Sequence, residues 1–66
     1  MQILLNGETK EISGQISLQA LVENLELKEG RIAIELNHFV VKRKDWPSVI
    51  LQDGDQLELV HFVGGG

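Results

Sequence analysis

The sequence contains no cysteine, and this absence removes several kinds of chemistry at once. Without thiols there is no disulfide framework, no thiolate nucleophile and no cysteine-ligated zinc site. A small domain that lacks such cross-links depends on a well-packed apolar core. We therefore expect that core to carry the stability of the fold.

Positive charge and long apolar runs are also scarce. Six lysines and arginines stand against ten acidic residues, which gives a formal net charge of −4 and argues against nucleic acid as the main partner. The basic run 42–44 is interpreted as a solvated stretch, with an acidic partner surface as the alternative. No apolar run approaches the roughly 18 residues of a membrane span, and no N-terminal segment resembles a signal peptide. We expect a cytoplasmic protein that does not bind membranes.

The chain has 66 residues, enough for one small domain. A domain of this size buries only about 60% of its unfolded surface and leaves little interior for a deep active site. Hydrophobic residues at 42% and charged residues at 24% are near globular averages, which favours a folded domain over a disordered one. We therefore expect a folded domain that is not an enzyme by itself.

The N-terminal half predicts a hairpin followed by a helix. The apolar residues 1–5 run into Asn6-Gly7, a strong signal for a type I′ turn because both central positions need φ > 0. The charged segment 8–12 is predicted to be an exposed edge strand. Ser17 is predicted to cap an amphipathic helix over 18–26. The apolar stripe of that helix consists of Leu18, Leu21, Val22 and Leu25.

The middle of the chain predicts a second hairpin. Gly30 is expected to end the region after the helix, and clean alternation over 31–37 then predicts a half-buried strand. Asn37-His38 predicts another tight turn, and 39–41 a short return strand.

The C-terminal third predicts a connector, a turn and a last strand. Pro47 lacks the amide hydrogen of a sheet ladder, so 42–48 is predicted to be an irregular connector that Trp46 pins to the core. A turn at 53–55 leads into a strand over 56–62.

One helix and several strands predict an α+β domain of two layers, with the helix on one face of a mixed sheet. If the first and last strands lie side by side at the centre they must be parallel, because the helical segment carries the chain across the sheet between them. Strands 2–6 and 56–62 are therefore predicted to be adjacent and parallel. The domain is predicted to span 1–62, with a flexible glycine tail, 63–66, leaving from the middle of the sheet.

The tail contains three consecutive glycines, Gly64, Gly65 and Gly66. Residues without Cβ form a thin strip of backbone that fits a channel too narrow for side chains. The usable group at its end is a carboxylate, with a pKa of about 3.3 to 3.7, which stays ionised and inert at neutral pH until another protein activates it. The alternative is a frayed terminus or a glycine-rich fusion remnant.

Alternation in the last strand predicts a docking patch beside the tail. Leu57 and Leu59 assign one side of the strand to the core. Glu58, Val60 and Phe62 point the other way, which leaves Val60 and Phe62 on the open face beside Leu4. Large exposed apolar residues near a functional tail indicate partner docking, so we assign that role to Leu4, Val60 and Phe62. Scattered surface apolar residues are the alternative.

The other polar candidates do not form a site by their spacing. His38 and His61 lack the pattern of metal ligands. Asp53 and Asp55 lack the further acids of a calcium loop and are interpreted as turn formers. We predict no metal site and no catalytic residue, because no nucleophile and base pair is identifiable.

Three segments resemble the ThiS family, the sulfur carriers of thiamin biosynthesis, which have a ubiquitin-like β-grasp fold. They are the hairpin over 1–7, the turn into the last strand over 53–57, and the ending Val-His-Phe-Val-Gly-Gly-Gly over 60–66. The resemblance covers the whole chain. A Gly-Gly ending is shared with ubiquitin-like modifiers and the molybdopterin synthase small subunit. The short length and the full ending are therefore the features that favour the ThiS family over these two.

The resemblance implies a reaction cycle at Gly66. An E1-like adenylyltransferase uses ATP to adenylate the carboxylate, sulfur from a donor enzyme displaces AMP, and thiazole synthase takes the sulfur from the resulting thiocarboxylate. Gly65 and Gly66 are the matched functional pair, and Gly64 adds reach. The resemblance also implies no bound cofactor and a monomer when free.

Three classes of function stay open on the residues alone: a sulfur carrier, a modifier whose Gly66 is joined to lysines of targets, and a non-covalent binding module with an inert tail. An inert tail tolerates extension. A carrier and a modifier differ in their products: the carrier forms a thiocarboxylate, whereas the modifier forms an isopeptide-linked species.

Overall fold

The computed structural model describes residues 1–27 and 31–61, and every structural statement below refers to these two ranges. The strands form one five-stranded sheet in the order β2-β1-β5-β3-β4, so the strand that leads to the C terminus is the central one. In chain order the elements are β1 (Gln2–Leu5), β2 (Glu8–Glu11), α1 (Leu18–Asn24), β3 (Ile32–Leu36), β4 (Phe39–Val41), a 3₁₀ helix (Arg43–Ser48) and β5 (Gln56–His61).

β1 and β5 are adjacent and parallel, which confirms the central prediction about the fold. Leu4 stands opposite Gln56, and Leu5 stands opposite Leu57. The remaining neighbours, β1 with β2, β3 with β4 and β3 with β5, are antiparallel, so the sheet is mixed as predicted. The parallel contact is short because the chain turns away at Asn6 directly after β1.

Both predicted tight turns have the left-handed backbone of a type I′ turn. Asn6 and Gly7 have φ of 50° and 82°, and Asn37 and His38 have φ of 51° and 75°. Asparagine and glycine tolerate this region better than other residues. Because each turn has two residues, it fixes the register of the hairpin that it closes.

Helix α1 begins as predicted and ends earlier than predicted. Ser17 is its N-cap, and the Ser17 hydroxyl oxygen accepts a hydrogen bond of 3.0 Å from the backbone N–H three residues later. The helix stops at Asn24, short of the predicted 26, and Glu26 has a φ of 58°, which a helix does not accommodate. Gly30, expected to end the region after the helix, lies outside the described residues.

The segment predicted to be an irregular connector, 42–48, is a 3₁₀ helix over Arg43–Ser48, so that prediction was wrong. Pro47 is compatible with it because the fixed φ of proline, about −65°, falls in the 3₁₀ range. The predicted anchoring role of Trp46 is confirmed. Its side chain is 1% exposed, and its Nε1–H donates a hydrogen bond of 3.1 Å to the carbonyl oxygen of Val41.

The core lies between α1 and one face of the sheet. In the described part of the chain every buried side chain is apolar, and no buried polar side-chain atom lacks a hydrogen-bond partner. No helix within residues 1–27 and 31–61 is long and apolar enough to cross a membrane. The core consists of Ile3, Leu5, Leu18, Leu21, Val22, Ile32, Ile34, Trp46, Leu51, Leu57 and Leu59.

Candidate functional site

The strand that leads to the tail is held on both sides by the asparagines of the two tight turns. On the β1 side, the backbone N–H of Asn6 donates to the Leu57 carbonyl at 2.9 Å, and Asn6 Oδ1 accepts from the Leu59 N–H at 2.8 Å. On the β3 side, the Asn37 N–H donates to the Gln56 carbonyl at 2.8 Å, and Asn37 Oδ1 accepts from the Gln56 N–H at 3.0 Å. The first half of β5 therefore has a fixed position and direction.

The turn before β5 is fixed by two carboxylates. Asp53 Oδ1 accepts a hydrogen bond of 2.7 Å from the Gln2 N–H, which ties the turn to β1. Asp55 Oδ2 accepts from the Gln52 N–H at 2.7 Å, and its Oδ1 accepts from Asn37 Nδ2 at 3.1 Å. Both aspartates are turn formers, as the sequence predicted, and each also anchors the start of β5 to a neighbouring segment.

The last described residues of β5 are paired on one side only. Val60 stands opposite Ala33 and His61 opposite Ile32, both in β3. On the other side, the β1 ladder stops at Leu5, and within the described residues Asn6 extends it by one side-chain hydrogen bond. The described end of β5 therefore lies beside β3 alone.

The predicted assignment of faces on β5 is confirmed. Leu57 and Leu59 are buried in the apolar core, whereas Val60 is 52% exposed on the opposite face of the strand. Leu4 of β1 shares that face and is half-buried. Phe62, the third predicted docking residue, lies outside the described residues, so its role stays a prediction.

Leu4 and Val60 share the open face without being neighbours. Leu4 stands opposite Gln56, and Val60 lies four residues further along β5, about 13 Å away at the usual rise of a strand. The prediction that Val60 lies beside Leu4 was wrong, because the turn at Asn6-Gly7 ends β1 before it reaches that level. The cross-strand neighbour of Val60 is Ala33.

The contribution of β3 and β4 to this face was not predicted from the sequence. Val40 is 70% exposed and stands opposite Glu35, which in turn stands opposite Glu58 of β5. The alternation in β5 had placed Glu58 on the open face, but nothing in the sequence indicated its partner. We use "open face" for the sheet surface turned away from α1. Its members include Leu4, Ala33, Glu35, Val40, Glu58 and Val60.

The tail glycines, Gly64, Gly65 and Gly66, lie outside the described residues, so the structure describes the strand before them and not the tail. Among the residues that are described, no group of three or more histidine, aspartate or glutamate side chains is placed to hold a metal ion. A cavity of about 320 Å³ between α1 and β2 is lined by none of the predicted site residues.

The architecture matches that of a solved protein over its full length. The crystal structure of a thiamine biosynthesis protein, ThiS, from Geobacter metallireducens superposes with a TM-score of 0.88 at 28% identity and covers 100% of both chains. The predicted β-grasp fold is thereby confirmed.

Two curated relatives differ in how much of their length the chain spans. A thiazole synthase from Magnetococcus marinus is 41% identical over all 66 residues, which make up 20% of that protein. The sulfur carrier protein ThiS of Escherichia coli is 33% identical over 66 residues, and the match covers 100% of both chains. The model of the ThiS family matches residues 3–66. This chain belongs to the ThiS family.

Proposed function

We propose that this chain is a sulfur carrier in thiamin biosynthesis and that it carries the sulfur on its own C terminus. An E1-like adenylyltransferase activates the Gly66 carboxylate with ATP, the acyl-adenylate becomes a thiocarboxylate, and thiazole synthase removes the sulfur. The chain acts as a covalent co-substrate of these enzymes and supplies no catalytic residue. The observation that carries the proposal is the position of β5, a central and doubly anchored strand that leads directly to the three glycines of a ThiS-family chain.

The chemistry follows from the inertness of a carboxylate. A carboxylate oxygen of Gly66 attacks the α-phosphorus of ATP and pyrophosphate leaves, which turns the oxygen into part of a good leaving group. A hydrosulfide-equivalent nucleophile from the sulfur-donor enzyme then attacks the carbonyl carbon. The carbon–oxygen bond to AMP breaks as the carbon–sulfur bond forms. Gly64 and Gly65 let the terminus reach these enclosed sites because they carry no side chains.

The relationship to thiazole synthase supports the choice of sulfur acceptor. The Magnetococcus marinus protein of that name contains, in one fifth of its length, a region similar to this entire chain. In that protein, a region like this chain is therefore part of the same polypeptide as the rest of the protein. We infer that this chain meets thiazole synthase as its partner.

Residues on the open face are assigned to binding of the partner enzymes. Val60 is exposed one residue before the end of β5, and Leu4 lies on the same face. We assign docking to these two residues and to Phe62. A partner enzyme then binds the sheet while the tail enters the active site of that enzyme. An inert binding module has no need for this coupling of face and tail.

Intact-mass measurement of the chain purified from its native host tests the proposal. The expected product is a chain heavier by one sulfur-for-oxygen exchange at Gly66, which is absent when the host lacks the activating enzyme. A modifier gives isopeptide-linked species of higher mass instead. If the unmodified mass is the only one found under conditions that demand thiamin synthesis, the proposal is contradicted.

A further inference from the structure

The basic run 42–44 lies at the edge of the sheet, directly after β4. Lys42, Arg43 and Lys44 are all exposed, and they are three of the six lysines and arginines of the chain. Without them, the other three basic residues stand against ten acidic residues, which is a formal charge of −7. The chain thus concentrates half of its positive charge at one edge of an acidic molecule. We call these three residues the basic edge.

The charge of the basic edge does not stabilise the chain on its own. Within residues 1–27 and 31–61, neither Lys42 nor Lys44 forms an ion pair. Asp45 follows directly and is exposed, so segment 42–45 keeps a formal charge of +2. Arg43 and Lys44 lie in the first turn of the 3₁₀ helix, where the helix dipole disfavours positive charge. The charge of the two lysines is therefore open to an anionic partner.

Arg43 is held in place by the core anchor of this segment. Its guanidinium carbon lies 5.9 Å from the centroid of the Trp46 ring. Trp46 is itself fixed by burial and by its hydrogen bond to the Val41 carbonyl. A planar guanidinium donates in a fork that matches the two oxygens of a carboxylate, and a side chain held over a ring has less freedom to lose on binding. The basic edge thus combines one positioned guanidinium with two ammonium groups.

The register of the sheet places the basic edge at the end from which β5 leads to the tail. β4 and β5 are both antiparallel to β3, so they run in the same direction. Val41 and Leu59 both stand opposite Ile34, so the basic edge begins one residue beyond the level of Leu59. Since β3 alone separates β4 from β5, the basic edge starts about 10 Å to the side of β5, two strand spacings away.

A short protein segment rich in aspartate or glutamate fits this surface better than a nucleic acid. The basic edge spans three residues, whereas a nucleic acid strand carries phosphates along its whole length and would also meet the acidic remainder of the chain. Repulsion from that remainder directs a short acidic segment to the basic edge and away from other surfaces.

We propose that the basic edge binds a carboxylate-rich segment of a partner protein and so holds that partner beside the strand that leads to the tail. Arg43 takes one carboxylate in its fork, and Lys42 and Lys44 pair with the neighbouring carboxylates. This inference goes beyond the proposed function and does not depend on it, because it concerns the side chains of residues 42–44 and not the reaction of the tail.

The test uses a hexaglutamate peptide with blocked termini as the probe. The peptide is titrated into the isotope-labelled full chain at about 20 mM and about 200 mM salt, and the backbone and indole N–H signals are followed by NMR. Lys44→Glu is compared with Lys10→Glu, which lies exposed on β2 at the other edge of the sheet. Each change replaces a positive by a negative charge, so both variants go from −4 to −6. Arg43→Lys keeps the charge and removes the fork, and thermal unfolding shows that each variant is folded.

In the parent we expect signal shifts confined to residues 42–46 and the Trp46 indole N–H, and smaller at the higher salt concentration. Lys44→Glu is expected to lower the affinity about threefold or more, and Arg43→Lys about twofold or more. Lys10→Glu is expected to keep the affinity of the parent within about twofold, because Lys10 lies at the opposite edge.

No shifts in the parent at the lower salt concentration, shifts spread over other surfaces, or an equal loss of affinity in Lys44→Glu and Lys10→Glu would each overturn the inference. Hexathymidylate is titrated in the same way as the nucleic acid alternative. Equal shifts of the same signals at the same concentration would show a general polyanion site and overturn the assignment to an acidic protein segment. None of these results bears on the reaction at Gly66, so the proposed function is tested separately.

Discussion

The side-chain oxygen of Asn6 accepts a hydrogen bond of 2.8 Å from the backbone N–H of Leu59, 53 residues later in the chain. Asn6 belongs to the first tight turn, and Leu59 belongs to the strand that leads to the C terminus. Where β1 has ended, this bond adds one further rung beside β5. The turn thus does more than reverse the chain, because it holds the strand that presents the tail.

Replacing Asn6 separates its two roles. Asn6→Gly keeps the positive φ and removes the acceptor, so we expect the free energy of unfolding to fall by about 1 kcal/mol. Asn6→Asp keeps an acceptor oxygen and tolerates the same backbone, and serves as the matched control. Urea unfolding gives the stability, and hydrogen exchange of the Leu59 amide gives the local effect. Identical exchange of this amide in the glycine variant and the parent would show that the bond does not protect the strand.

The anchoring of Trp46 predicts a large loss of stability on truncation. Trp46→Ala empties a fully buried site and is expected to cost about 3 to 5 kcal/mol, a large share of the stability of a small domain. Phe39→Ala is the control, because Phe39 is 77% exposed and surface changes stay within about 0.5 kcal/mol. Thermal and urea unfolding of both variants decide the point. Equal destabilisation by the two changes would mean that Trp46 is not the core anchor.

The docking assignment predicts a loss of binding without a loss of folding. Val60→Asp and Phe62→Asp are each expected to weaken binding to the activating enzyme about tenfold, as loss of an apolar interface contact does. Phe39→Asp places the same charge on an exposed residue at the sheet edge and is expected to bind like the parent. Binding is measured by titration and folding by circular dichroism. If Phe62→Asp unfolds the chain as a core lesion would, Phe62 faces the core and the assignment is wrong.

Local features of the fold could be predicted from the sequence because short-range chemistry encodes them. Ser17 caps a helix through a group three residues away, and Asn6-Gly7 forms its turn from its own backbone preferences. The 3₁₀ helix was missed because Pro47 excludes a sheet ladder and is compatible with both a loop and a 3₁₀ turn.

The non-local part of the site could not be predicted in the same way. Alternation indicated the face of Glu58, but the identity of its neighbour depends on the register between β3 and β5, which no local pattern specifies. The distance between Leu4 and Val60 likewise depends on where β1 ends relative to β5. These relationships follow from the packed sheet.

Two changes in the tail are expected to prevent activation of the Gly66 carboxylate, each for a different reason. Gly65→Val leaves the carboxylate in place, but adds branched bulk and restricts the backbone where it has to pass closely. Adding one alanine after Gly66 moves the carboxylate by about 3.3 Å or more and places a Cβ in the channel. We predict that the tail lies outside the core, so both variants are expected to unfold at the temperature of the parent.

In the proposed cycle the carboxylate of Gly66 is the reacting group, and the alanine-extended chain distinguishes this role from that of an inert tail. ATP-dependent pyrophosphate release is measured with purified activating enzyme for the parent and the extended chain, with a reaction that lacks the carrier as the baseline. We expect pyrophosphate release at the baseline for the extended chain and well above the baseline for the parent. Activation of the extended chain as fast as the parent would contradict it.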